Sequence, residues 1–249
     1  MPEPAFRILI IDRMHQSLLP MLEEAGFTAD YQPEIKVADV PAALQNAYGL
    51  VVRSKIFIDE ALLKQAPNLK FIARAGAGVD NIDEAALANR NIPLLNAPEG
   101  NRDAVGEHCV GLLLALFRNI ISANTEVKNK IWLREENRGE ELGTKTIGII
   151  GYGNMGQAFA RKLAGFGCQV LAYDKSKKRP ADPYVKNCSL TDIFEKADVL
   201  SLHIQLTPEN RHFADEAFLR SFKKKYLAVK YRPGRSAGPP GSSNVVAGR

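Results

Sequence analysis

Cysteine is scarce in this chain, and the little there is excludes several chemistries. Cys109, Cys168 and Cys188 are odd in number and far apart. They form neither a disulfide framework nor the paired spacing of a zinc site, and they suit a reducing, cytoplasmic compartment. His15, His108, His203 and His212 are scattered singly, so no metal is expected. No apolar run approaches the ~18 residues of a membrane span. The opening MPEPAFRILI lacks the basic and then apolar regions of a signal peptide. Acidic residues are missing from 222–249, which hold seven Lys and Arg. The formal charge of +5 therefore belongs to the tail: residues 1–221 carry 26 Lys and Arg against all 28 Asp and Glu. A basic tail can bind polyanions, but the body gives no ground to expect a nucleic-acid or membrane partner.

What is present is an alternation of strand and helix signals in a chain long enough for two domains. Phe6–Arg13 (FRILIIDR), Gly49–Ser54 (GLVVRS), LKFIARAG and IPLLNAP read as buried strands. QSLLPMLEEAGF and DEALLKQAP between them read as helices. The pattern predicts an α/β fold with a parallel sheet covered by helices, filling residues 1–98. The longest helical pattern follows, from about Arg102 to Val127, and its VGLLLALFRNII core is apolar nearly all round, which predicts burial. The one tryptophan, Trp132, lies in the charged stretch after it, where an anchoring role suffices.

A second α/β unit opens at TKTIGIIGYGNMG. The strand Thr146–Ile150 runs into Gly151-Tyr152-Gly153-Asn154-Met155-Gly156, a helix starts at once, and the next strand ends at Asp174, 18 residues after Gly156. A bare G-x-G-x-x-G carries little weight, but strand, turn, helix and acid together fit dinucleotide binding. Gly151 permits a tight turn, Gly153 lets a pyrophosphate approach the backbone, and Gly156 lets the helix pack on the strand. The helix start offers N–H groups and positive potential to the phosphates. Asp174 is expected to accept hydrogen bonds from the adenosine ribose and repel a 2′-phosphate, favouring NAD over NADP. Lys175, Lys177 and Lys178 beside it are cations able to tolerate that phosphate. The rival reading is a glycine turn that serves packing alone.

Four stretches in order, VVRSKIFIDEALL, FIARAGAGVDNID, NAPEGNRDAVGEHCVGLLLAL and TIGIIGYGNMG, followed by ADVLSLHIQLTPENRHF, make residues 6–222 resemble the NAD-dependent D-isomer-specific 2-hydroxyacid dehydrogenases, and among them the D-3-phosphoglycerate dehydrogenases. The resemblance implies a flavodoxin-like substrate domain over 1–98 and a Rossmann NAD-binding domain over 99–230. It implies a homodimer joined through the long helix and the charged segment after it, and a small 2-hydroxy or 2-oxo acid as the ligand. Gly76, Ala77, Gly78 and Val79 would cradle a substrate carboxylate with backbone N–H groups. Arg53 is either a cationic fork for a carboxylate or phosphate or a solvated strand-end charge. Asn101 is either a substrate contact or a plain N-cap. Val105, His203, Thr207 and Pro208 resemble positions near the cofactor. His108, among apolar helical residues, reads as a packed and satisfied histidine.

The catalytic groups of that family have no match here. The family places an arginine, within Asn-(Thr/Cys)-(Ala/Ser)-Arg-Gly, after the fifth Rossmann strand, and a glutamate and a histidine beyond it. Here YLAV is followed by Lys230-Tyr231-Arg232-Pro233-Gly234, and nothing after these residues matches either group. Dropping one nucleotide from codons permitted for this stretch yields Asn-Thr-Ala-Arg-Gly, and Lys223-Lys224-Lys225 permits a run of adenines upstream. The expectation is a chain out of frame near Lys225, with 231–249 an unselected tail lacking regular structure. A tail evolved for binding is the rival. Non-catalytic NAD binding, as in a sensor or corepressor, and hydroxypyruvate or glyoxylate reduction are the alternative functions.

Overall fold

The computed structural model describes residues 6–176, 182–205, 207, 209–210, 212–230 and 245–247. Its contacts divide the chain into two units, Met1–Gly100 and Asn101–Arg249.

In the first unit the strands are β1 (Phe6–Ile10), β2 (Phe27–Tyr31), β3 (Gly49–Val52), β4 (Phe71–Arg74) and β5 (Leu94–Asn96). The helices between them are α1 (Leu18–Glu24), α2 (Val40–Leu44), α3 (Glu60–Leu63) and α4 (Glu84–Asn89). All pairings are parallel, in the order β2-β1-β3-β4-β5, the flavodoxin-like doubly wound arrangement. Alternation along each strand sends residues to opposite faces. Leu9, Leu50, Val52 and Ile72 pack with Leu44, Leu62, Leu63 and Leu87 of α2, α3 and α4. Ile8, Ile10 and Val51 pack with Leu18, Leu19 and Leu22 of α1. Asp59 and Asp83 cap α3 and α4 by accepting from the amides of Leu62 and Ala86, which supplies groups the first helical turn lacks. β2 was not among the strands read from sequence. Its FTADY is mixed in polarity, because an edge strand needs no continuous apolar run, and none of its residues is fully buried.

The second unit opens with α5 (Arg102–Phe117) and α6 (Ile120–Lys128). The single long helix expected over Arg102–Val127 is therefore two helices, bent by 61° at the break. Asn119 takes the left-handed conformation, φ 51°, which asparagine tolerates and which ends a helix. The apolar signal ran straight through this stop. Its burial is also partial: Val105, Gly106, Cys109 and Leu113 are buried, whereas Ile120 and Ile121 are 50% and 69% exposed. His108 is exposed on α5 and not buried among apolar residues, since the buried stripe runs through Val105, Cys109 and Leu113. Trp132 is 79% exposed, so its ring is not buried as an anchor among the described residues. No single helix among the described residues is long and apolar enough to cross a membrane.

Then follow β6 (Thr146–Ile150), α7 (Asn154–Leu163), β7 (Gln169–Tyr173), β8 (Lys186–Asn187), α8 (Leu190–Lys196), β9 (Val199–Leu202), α9 (Glu216–Arg220), β10 (Leu227–Lys230) and β11 (Val245–Ala247). The sheet order is β11-β10-β9-β6-β7-β8. Its first five strands in sequence are parallel in the Rossmann order. One face packs on α5 and α7 around Phe159, Leu163, Cys109 and Leu113. The other packs on α8 and α9 around Ile193, Leu200 and Tyr226. A Cβ on Gly106 would lie 3.1 Å from the Ala158 backbone, so a glycine in α5 allows the close approach to α7. β11 pairs antiparallel with β10. The expectation that residues beyond Arg235 lack regular structure is thus wrong for Val245–Ala247, whose extended backbone satisfies the open edge of β10. The rest of that tail lies outside the described residues.

Phe159 is fully buried where α5, α7 and the sheet meet. Phe159→Ala is expected to cost the second unit about 3–5 kcal/mol. Hydrogen exchange read by peptide should show lost protection in β6, β7 and β9 and unchanged protection in β1, β3 and β4.

Candidate functional site

In the second unit the sheet order reverses between β6 and β9, the kind of crevice where open α/β sheets bind ligands. Ile150 pairs with Tyr173 on one side and with Leu202 on the other. Gly151, Asp174 and His203 therefore leave the sheet abreast, at the carboxyl ends of three neighbouring strands. The His203 amide donates to the Ile150 carbonyl at 2.8 Å, and the Gly151 amide to the Tyr173 carbonyl at 2.9 Å. Gly151 has φ 92°, and a Cβ there would sit 2.6 Å from the His203 carbonyl oxygen. A Cβ on Gly156 would collide with the Gly151 carbonyl. Both glycines are thus demanded by the turn itself, and the chain passes directly into α7.

Gly153 is the N-cap of α7, and no side chain caps that helix. The first-turn amides of Asn154, Met155 and Gly156 have no partner within the helix and stand at its positive end. Asn154 is half-buried, and Met155 packs against the core. The Asp174 carboxylate accepts from the Tyr152 amide at 2.6 Å and from the Ser176 amide at 2.8 Å. These bonds hold it against the glycine turn. A turn with room for no side chain, uncapped amides and a carboxylate at the edge fit the pyrophosphate and ribose of a dinucleotide.

The remaining cofactor candidates are placed unevenly. Val105 is 2% exposed and belongs to the core cluster. Thr207 is half-buried and its hydroxyl accepts from the Asn210 amide at 3.3 Å. Pro208, Lys177 and Lys178 lie outside the described residues. His203 Nε2 lies 2.9 Å from Ser201 Oγ, and its ring packs on Phe159 with centroids 5.5 Å apart. Burial pushes its pKa down to about 4, so the ring is neutral at pH 7. Asn101 precedes α5 but makes no side-chain capping bond. Its Oδ1 is buried without a partner, which removes the plain N-cap reading.

In the first unit the corresponding crevice lies between β1 and β3. The Asp12 carboxylate sits there and accepts from the amides of Arg53, Ser54 and Lys55 at 2.7, 3.3 and 3.4 Å. It pins the turn after β3 that carries the exposed Arg53. Val52 pairs with Arg74, so the Gly76–Val79 segment leaves the next strand at the same edge. The amides of Ala77, Gly78 and Val79 donate no hydrogen bond among the described residues. The Arg74 guanidinium lies across Gly76, where a Cβ would overlap it, and its Nε is buried without a partner. Arg74 and Asp12 were missed in the sequence. A cation closing FIAR ahead of the glycine pair, and an acid closing the first strand, were the available signals.

The His203 ring gives a direct check on this geometry. Its folded pKa lies near 4 against 6.5 for an ordinary histidine, so between those values the unfolded chain binds more protons. Stability should fall as pH drops from 6.5 toward 4 and level off below. NMR of the imidazole should show no protonation above about pH 5, and titration between pH 6 and 7 would contradict the burial.

Known proteins share this arrangement. The model of the D-isomer specific 2-hydroxyacid dehydrogenase NAD-binding domain matches residues 110–232. D-3-phosphoglycerate dehydrogenase of Mycobacterium leprae is 35% identical over 230 residues, covering 89% of this chain and 42% of that protein. Hydroxypyruvate reductase of Thermotoga maritima is 33% identical over 219 residues, covering 88% of this chain and 70% of that protein. The solved D-lactate dehydrogenase of Aquifex aeolicus, complexed with NAD and lactic acid, superposes with a TM-score of 0.78 at 25% identity, covering 90% of this chain and 68% of that one. The chain thus spans less than half the length of the phosphoglycerate dehydrogenase it matches. With the glycine turn, the abreast carboxylate and the flavodoxin-like first unit, these likenesses place the chain in the NAD-dependent D-2-hydroxyacid dehydrogenase family.

Proposed function

We propose that this polypeptide binds NAD(H) at Gly151–Gly156 with Asp174 on the adenosine ribose, and that it descends from an enzyme oxidising 3-phosphoglycerate, a step toward serine. The observation that carries the cofactor half is the crowded turn, in which Gly151 and Gly156 leave room for no side chain beneath the uncapped start of α7. Asn154, Met155, His203, Thr207 and Pro208 line the cofactor in this reading. The substrate half draws on the Gly76–Val79 cradle, in which the Ala77, Gly78 and Val79 amides donate no hydrogen bond among the described residues, and on two cations, Arg53 and Arg74, suited to a carboxylate and a phosphate. Asn101, with its buried and unpaired Oδ1, belongs to the same set. A cytoplasmic location fits the three free cysteines. Hydroxypyruvate or glyoxylate is the second substrate reading.

NAD, when bound, supplies a hydride acceptor. The chemistry also needs a group to polarise the carbonyl and one to carry the proton, and the residues after β10 offer neither in the family's pattern. General acid–base help alone is worth about 10²–10⁴-fold. In this reading Lys230-Tyr231-Arg232-Pro233-Gly234, which stands where the family's arginine motif is expected, leaves this polypeptide a cofactor binder with little turnover.

Fluorescence titration should show NADH binding that Gly151→Ala abolishes, and Asp174→Ala should raise NADPH affinity relative to NADH. A panel of 2-oxo acids with NADH should show no turnover. An intact glycine turn that binds no NADH, or a chain that turns over, would refute the reading.

A homodimer belongs to the same proposal. Ile120, Ile121, Val127, Ile131, Trp132 and Leu133 are all large, apolar and 39–79% exposed, and exposed apolar groups this dense mark interaction surfaces. Sedimentation should give twice the 27.4 kDa chain mass. Ile121→Asp should give monomers.

A further inference from the structure

We propose that Asp182 is a second selectivity carboxylate of the dinucleotide site, and that Tyr152 is the positioning residue that holds it beside Asp174. Tyr152 is the variable residue of the G-x-G turn, a position that the motif leaves free. In this chain it is only 2% exposed. A buried phenol requires a partner, and it has one: its O–H donates to Asp182 Oδ2 at 2.7 Å. Asp182 comes from the segment between β7 and β8, 30 residues away, and its other oxygen accepts from the Tyr184 amide at 3.0 Å.

The same tyrosine donates its amide to Asp174 at 2.6 Å. Its carbonyl accepts from Gln157 Nε2 at 3.2 Å, which ties it to α7. One residue of the phosphate-binding turn therefore collects both carboxylates that bound the segment after β7. Burial, and then the bond to Asp182, push the phenol pKa far up, so it remains an O–H donor at any physiological pH.

The consequence is electrostatic. NAD presents two neutral ribose hydroxyls at this edge, whereas NADP presents a phosphate of about −2 charge. Two held carboxylates repel that phosphate more than one does. At physiological salt the Debye length is about 8 Å, so a carboxylate counts only if it is kept close. The Tyr152 hydroxyl ties Asp182 to the same turn residue whose amide holds Asp174. The proposal rests on dinucleotide binding at the Gly151–Gly156 turn, and the test separates the role of Asp182 from that of Asp174.

The experiment is fluorescence titration of the full chain with NADH and with NADPH. Tyr152→Phe fills the same space without the O–H, and Asp182→Asn keeps an acceptor for the phenol without the charge. Each should lower the ratio Kd(NADPH)/Kd(NADH) about three- to tenfold, as expected for losing one nearby charge. The gap from wild type should shrink at about 1 M salt, where screening reaches ~3 Å. A merely structural role would move the unfolding midpoint and leave both the ratio and its salt dependence alone. Unchanged ratios in both variants, or a shift insensitive to salt, would overturn the proposal. If Tyr152→Phe fails to fold, Asp182→Asn decides by itself. Asp174→Ala is the separate arm: if it leaves the ratio unchanged while Asp182→Asn moves it, the Asp174 reading fails and the role of Asp182 stands.

Discussion

The second unit is organised around a place where there is no room. Where the sheet order reverses, the carboxyl ends of β6 and β9 come so close that the first residue after β6 faces the His203 carbonyl. Only glycine fits, and only with φ near 92°. That turn sends the chain straight into α7, and Gly156 then lets the helix lie against the turn it has just left. The same crowding that forbids side chains leaves the backbone amides at the surface. Packing and anion binding are thus two results of one constraint, and replacing Gly151 should damage both.

The polar bonds around the turn extend this constraint outward. Tyr152 is fastened at its amide, carbonyl and hydroxyl, to Asp174, Gln157 and Asp182 respectively. Two carboxylates are therefore fastened to the residue that leads into a positive helix end. His203, on the far side of Gly151, is held neutral by burial and adds no charge to the crevice. The first unit solves the matching problem differently. Its crevice between β1 and β3 is occupied by a protein carboxylate, Asp12, which takes three backbone amides and fixes the turn bearing Arg53.

Much of this was legible from residue order. β1, β3, β4, β6 and β7 are short apolar runs because a parallel strand is covered on both faces, so its burial is written in its own composition. The glycine motif was legible as a spacing of residue types between a strand and a helix, although the steric demand on Gly151 comes from His203, far along the chain. β2, the break at Asn119 and β11 were not. An edge strand tolerates FTADY. A single left-handed residue leaves no mark on an apolar helical pattern. Pairing across the edge of β10 depends on the backbone of the partner strand and not on the side chains of VVA.

The amino-acid sequence by itself determined the parallel α/β architecture, the dinucleotide turn and the acid after β7, because each is a local matter of residue type and spacing. Only the tertiary structure decided which polar groups meet. Asp12 is 41 residues from Arg53 and Asp182 is 30 from Tyr152, and neither pairing has a spacing rule. Such bonds form because two strand ends are brought abreast by the sheet, and strand order is set by how the apolar faces of helices and sheet close around a common core.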